Sequence, residues 1–269
     1  MNYARMPGVR PESLIAAGHA QIQPVLNRWR DFCVKKKTIS PGINMKTLQE
    51  KQKGFTLIEI AIVLVIIGLL LGGILKGQEL INSAKVKNLS GDFRNVPLFV
   101  YGYQDKFKAL PGDDINATTH VGAAATAAGV VLLAPTTTTL GNGRLEGNYN
   151  SLNGTDESVA FWQQVRLANL AAGATDFTVP ANSMPTNSEG GHIGIQSTAP
   201  ITGMSGSYFV CSEAIQGKFA KQIDTTLDDG NTAQGSVRVA QGPYTGTALT
   251  ALATTAIVDS TPYIVCMSM

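Results

Sequence analysis

The chain has 269 residues, 44% of them hydrophobic and only 15% charged, with a formal net charge of +2. That charge is unevenly placed: residues 1–54 hold ten of the 21 Lys and Arg but only three acids, Glu12, Asp31 and Glu50. The remainder carries 11 basic and 16 acidic residues, a net charge of −5, which excludes a general electrostatic case for nucleic-acid binding.

The first segment mixes Pro7, Pro11, Pro24 and Pro41 with the basic run Lys35-Lys36-Lys37. It predicts little stable structure beyond a helix over 11–33. Met45 then opens a short basic stretch, MKTLQEKQKG. Either Met45 is the initiator and 1–44 an over-extended reading frame, or the leader is long and cytoplasmic. On both readings it stands apart from the fold.

Residues 51–75 read KQKGFTLIEIAIVLVIIGLLLGGIL, a basic flank followed by a Gly-Phe junction and 21 nearly unbroken apolar residues. As a helix the run spans roughly 31 Å, about one bilayer core. One acid interrupts it, Glu59, and a carboxylate that deep in lipid costs on the order of 2.5 kcal/mol or more. Glu59 is therefore a candidate functional residue; the alternative is an ordinary signal anchor that tolerates it. Lys46, Lys51 and Lys53 precede the span, so the N-terminus stays cytoplasmic and everything after Leu75 is exported.

Gly54-Phe55-Thr56-Leu57-Ile58-Glu59, with its basic flank and apolar run, resembles the processing and assembly motif of type IV pilins and type II secretion pseudopilins. The resemblance covers about 50 residues. It implies that prepilin peptidase cleaves between Gly54 and Phe55, and that Phe55 becomes the methylated N-terminus. It further implies that Glu59 pairs with the N-terminal ammonium of a neighbouring subunit as N-terminal helices assemble. Buried together, acid and amine neutralise each other and fix axial register, because a mis-stacked subunit leaves both charges unpaired. The domain plan that follows is a leader at 1–54, a membrane or filament-core helix at 55–75, an amphipathic continuation at 76–108 and an exported head at 109–269. The expected fold class is α+β, a long N-terminal helix on a head with a small antiparallel sheet.

In the continuation, Leu89, Phe93, Val96, Val100, Tyr103 and Phe107 recur at spacings of four and three, the stripe of a helix lying on a partner. Pro97 should kink it. Leu110-Pro111-Gly112-Asp113-Asp114 stops it. The Ala/Thr/Gly-rich stretch 117–140 reads as a long exposed connection with one short strand at Val130–Ala134. A helix follows over 156–171, capped by Thr155, with Val159, Trp162, Val165 and Ala168 or Leu170 buried. Short strands are expected near Phe177–Val179 and His192–Ile195.

Ser207–Cys211 reads as a strand. Ser212 then caps a helix carrying Ile215, Phe219, Ile223 and Leu227 on one face, and Asp228-Asp229-Gly230-Asn231 ends it. Val237–Ala240 and Pro262–Met267 are further strands. Of three cysteines, Cys33 lies in the leader on the reducing side, while Cys211 and Cys266 lie in the exported part, where disulfides persist. A Cys211–Cys266 bond would tie the start of that helix to the last strand; two buried free thiols are the alternative.

No catalytic constellation emerges. His19, His120 and His192 are isolated and lack metal-ligand spacing. Cys211 has no His/Asp arrangement beside it, and no Gly-x-Ser-x-Gly elbow occurs. Asp224, Asp228, Asp229 and Asn231 form one site-like cluster whose oxygens could hold Ca²⁺. Its spacing does not match an EF-hand loop, and a helix-terminal turn bonding its own backbone is the competing reading. Asp113 and Asp114 stand under the same two readings. Beyond calcium no cofactor is expected. The functional expectation is a minor pilin or pseudopilin, not an enzyme, held first in the inner membrane with a periplasmic head. A membrane-tethered adhesin using the same export signal is the alternative.

Overall fold

A computed structural model of the protein describes residues 54–135 and 140–269. The leader, with the helix expected over 11–33, lies outside the described residues, apart from Gly54. So do residues 136–139.

Helix α1 runs unbroken over Leu57–Phe107, 51 residues, about 76 Å long at 1.5 Å per residue. Its two halves behave differently. From Leu57 to Ile81 the large apolar side chains are exposed. From Val86 onward a stripe of Val86, Leu89, Phe93, Val96, Val100 and Tyr103 is buried, at the spacing that keeps one face inward. The element continues through Pro97.

The stretch expected as an exposed connection folds instead as helix α2, Ala117–Ala128. Six of its residues are alanine, the strongest helix former, and Val121 and Ala125 bury one turn apart. Gly129 closes it in the left-handed conformation (φ 69°). Val130–Ala134 is not a strand. The Leu133 N–H is donated to the Gln163 side chain at 2.6 Å rather than to a ladder.

Helix α3, Glu157–Leu167, starts after Asp156 rather than Thr155 and ends four residues before the expected 171. Every one of its residues is buried, polar ones included. The reason lies in what surrounds it. Gln163 Nε2 donates to Val131 O and Thr175 O, Gln164 Oε1 accepts the Gly112 N–H, and an Arg166 terminal nitrogen donates to Ala174 O and Ser183 O. Loop backbone, rather than solvent, meets these polar groups of the helix, while Gln164 Nε2 and Arg166 Nε stay buried without a partner. Phe177–Val179 is also not a strand: the Thr178 N–H and hydroxyl both donate to Asp176 Oδ1, a local turn.

The sheet has four antiparallel strands, β1 (Ile193–Gln196), β2 (Phe209–Gln216), β3 (Val237–Ala240) and β4 (Pro262–Ser268), in the order β1-β2-β4-β3. The helix expected to begin at Ser212 begins at Gly217: α4 covers Gly217–Leu227. Ser212 and Ile215 belong to β2, where a bulge at Ala214 (φ 58°) shifts the register against β4. Cys211 therefore sits mid-strand, directly opposite Cys266 of β4, and the two are bonded. The bond joins the two central strands rather than a helix start to a strand.

Both sheet faces are covered, and the strands alternate accordingly. Val210, Ile215, Tyr263 and Val265 face the α1 stripe, α3 and α4 in the main core. Phe209, Cys211, Ile264 and Cys266 face a smaller core with Tyr149, Ile201 and Tyr244. The outer flank of β3 is occupied: the Val237 N–H goes to Asp228, the Val239 N–H to Thr232 O, and Val239 O accepts the Leu252 N–H. The architecture is α+β, a long helix followed by a small antiparallel head, and Ile58–Met269 form one unit.

Candidate functional site

Gly54, Phe55 and Thr56 precede the helix and are exposed. Glu59 lies in the first turn of α1, at the positive end of the helix dipole, also exposed. Around it the apolar side chains from Phe55 to Leu75 face outward on all sides; the best 18-residue window has a mean hydropathy of 2.9 and no buried residue. A Cβ added at Gly68, Gly72 or Gly73 would meet nothing beyond the helix's own backbone within 4 Å. An exposed apolar surface of this extent is not stable in water and requires lipid or other helices.

Residues 50–75 match the family model described as the prokaryotic N-terminal methylation motif. The match covers 26 of 269 residues and supports a likeness of this N-terminus to type IV pilins and pseudopilins. Such a motif implies processing by prepilin peptidase and pilin-type assembly in general. No curated protein and no solved structure matches the chain. The pilin-type helix, long and apolar, fits membrane anchoring at the N-terminal end.

The second grouping lies at the far end of α4. One oxygen from each of Asp224, Asp228 and Asp229 can be chosen so that all lie within 4.8 Å of one another. Asp224 is fully buried, and no side chain donates a hydrogen bond to its carboxylate. Burial first, then the charges of Asp228 and Asp229, push its pKa up to about 6, and the nearby Gly230 N–H offsets part of the rise. Asp228 is held from behind: its Oδ2 accepts the N–H groups of Ser236 at 2.6 Å and Val237 at 3.0 Å. Gly235 makes that approach possible, since a Cβ there would stand 2.0 Å from the same oxygen and its φ is +77°. Asn231 is engaged otherwise, its side-chain oxygen accepting the Ala233 N–H.

Asp113 and Asp114 have separate partners. Asp113 accepts the N–H groups of Gly141 and Gly143, pinning a distant loop. Asp114 Oδ2 accepts the Tyr103 hydroxyl at 2.7 Å and lies 2.7 Å from His120 Nδ1. His120 is thus no solvated loop residue: it stands on α2, stacked on Phe107 of the pilin-type helix. Sequence reasoning missed this network and the Lys85–Glu189 ion pair, whose partners are 104 residues apart. The only local signal for the first was the spacing of Tyr103 and Phe107, one turn apart on the buried stripe.

Proposed function

We propose that the protein is a structural subunit, a minor pilin or pseudopilin, of a type IV pilus or type II secretion filament. Residues 1–54 act as the leader, 55–75 as the membrane and then filament-core helix, 76–108 as its amphipathic continuation and 109–269 as the exported, periplasmic head. Prepilin peptidase cleaves after Gly54 and Phe55 is methylated. The single observation that carries this reading is the motif at residues 50–75 on a helix whose first half is bare and apolar and whose second half is anchored in its own head.

Glu59 carries assembly. In the bundle core its carboxylate meets the ammonium of a neighbour's processed Phe55, and two charges that are each costly in low dielectric offset one another. The Cys211–Cys266 bond suits a head that matures in an oxidising compartment.

Two measurements test the reading. Intact mass and N-terminal sequencing of membrane-extracted protein should begin at methyl-Phe55; an unprocessed start rejects it. Glu59→Ala should insert into the membrane at normal levels yet vanish from the sheared filament fraction. Normal incorporation of the variant would remove Glu59 from assembly. Surface binding that persists without any filament would favour the membrane-tethered adhesin instead.

A further inference from the structure

We infer that the cleft between α1 and α4 binds a tetrahedral oxyanion, a phosphate or phosphate ester, on Lys87, Ser90 and Arg94. The inference concerns the head-proximal half of the long helix and holds whether or not the chain polymerises.

Lys87, Ser90 and Arg94 stand at spacings of three and four, so they share one face of α1 on successive turns. That face forms one wall of an open cleft of about 610 Å³, and Gln222, Thr225 and Thr226 of α4 form the other. A cleft of this size is within the range of small-molecule sites, about 300–1,000 Å³. Its cations are unspent. Lys85, on the same helix, is paired with Glu189, and Lys76 with Glu79, but neither Lys87 nor Arg94 forms an ion pair among the described residues. Glu79 is the one acid among the residues lining the cleft, and Lys76 already holds it; the aspartates at the end of α4 do not line it.

Ser90 is the independent observation. It is only 3% exposed, and its Oγ is buried without a hydrogen-bond partner. A serine inside a helix normally turns its hydroxyl back onto the carbonyl one turn earlier or out to water. This one does neither, although Thr225 and Thr226 across the cleft do turn back, onto Lys221 O and Gln222 O. An unpaired buried hydroxyl is costly, and the cleft that Ser90 lines is where a partner reaches it. Lys87 stands one turn before it and Arg94 one turn after, both exposed and both long enough to converge over it.

The donors select the ligand. An ammonium and a guanidinium donate and cannot accept, so the ligand must accept and carry negative charge. Arginine binds phosphate through two parallel N–H bonds, and lysine adds a point charge. A tetrahedral oxyanion has lone pairs on all sides and suits donors that arrive from successive turns, whereas a planar carboxylate engages them along one edge. The cleft is larger than one phosphate needs, which leaves room for the organic part of an ester. A lipid headgroup is the other source of this chemistry. With the apolar run in a membrane, Ser90 follows Leu75 by 15 residues, roughly 22 Å along the helix, whereas headgroups extend only about 5–8 Å beyond the hydrocarbon on each side. A soluble phosphate reaches the site; a headgroup beside an upright helix does not.

The test uses the full chain in dodecyl maltoside micelles, which carry no phosphate. Calorimetric titration with inorganic phosphate at constant ionic strength should show saturable binding of one ion per chain. Arg94→Gln and Lys87→Gln, both exposed changes, should each weaken it by about tenfold, the loss of one charge-assisted hydrogen bond. Ser90→Ala should weaken it as well, yet in phosphate-free buffer it should melt no lower than the parent, because it removes an unpaired hydroxyl. Doping the micelles with phosphatidylglycerol should leave phosphate binding unchanged; competition would keep the oxyanion site and give it to a lipid headgroup. Absence of saturable binding, or binding that is unchanged in Arg94→Gln and Ser90→Ala, overturns the proposal.

Discussion

Lys85 Nζ on the long helix lies 2.7 Å from Glu189 Oε1 in the loop that leads into β1, and the Glu189 side chain is only 7% exposed. The same ammonium sits 5.5 Å from the centre of the Phe219 ring of α4. One cation thus ties the helix to two parts of the head at the level where the buried stripe begins. Lys85→Met should destabilise the head by about 1–3 kcal/mol, because it leaves a buried acid without its partner. Glu189→Gln should cost less, about 1 kcal/mol, since Lys85 is more exposed and can turn to water. Thermal unfolding of the two single variants and the double variant in detergent measures the coupling; strictly additive effects would show that the pair contributes nothing of its own.

Gly194 of β1 leaves no room for a side chain. A Cβ there would stand 1.9 Å from the carbonyl oxygen of Tyr149, a backbone atom that no rotamer change can move. Gly194→Ala should therefore push the 145–150 segment off the sheet and cost on the order of 2–4 kcal/mol, within the range of overpacked cores. Limited proteolysis should open new cleavage around residues 141–150. A variant that melts and digests like the parent would mean the segment can shift freely.

The disulfide closes a loop spanning 55 residues between two central strands. Its loss in a Cys211→Ala/Cys266→Ala double variant should cost about 2–4 kcal/mol, largely by freeing the unfolded chain. Both sulfurs are fully buried, so mild reductant should leave the folded protein's bond intact and act only after denaturant is added. Thiol labelling with and without denaturant distinguishes the states. Rapid labelling of the native protein after mild reduction would contradict the burial.

Two tyrosines should titrate late. Burial, followed for Tyr103 by its hydrogen bond to Asp114 and for Tyr149 by the charge of Glu213, pushes both phenols far above the usual range. The folded protein holds these protons where the unfolded chain, with pKa near 10, releases them. Stability from this source is complete below about pH 10 and declines as pH rises beyond it. Absorbance near 295 nm should reveal two phenols that ionise only as the fold collapses. Ionisation of every tyrosine before any loss of circular dichroism would refute this.

The legible parts of the chain were those with a strict period or a local rule. The stripe from Leu89 to Tyr103 was readable because a helix on a partner repeats every three to four residues. Val237–Ala240 was readable as an apolar-rich run bounded by turns. The illegible parts depended on distant backbone. Nothing near Gln163, Gln164 or Arg166 indicates that loops at 112, 131, 174–175 and 183 will cover them, so α3 read as half exposed. Ser212 has the chemistry of a helix cap, yet pairing with Val265 keeps it in the strand. In the 117–128 stretch the monotony of composition masked a plain alanine helix. At the assembly end the motif itself was local and readable; at the carboxylate end the aspartates were visible, but the burial of Asp224 was not.

The occupied flank of β3 limits how copies of this protein can meet. With the Val237 and Val239 N–H groups and the Val239 carbonyl already bonded to Asp228, Thr232 and Leu252, that border leaves little backbone for an incoming chain to zip onto. Strand donation is hindered at that border, so neighbouring heads in a polymer of these subunits would not join through β3.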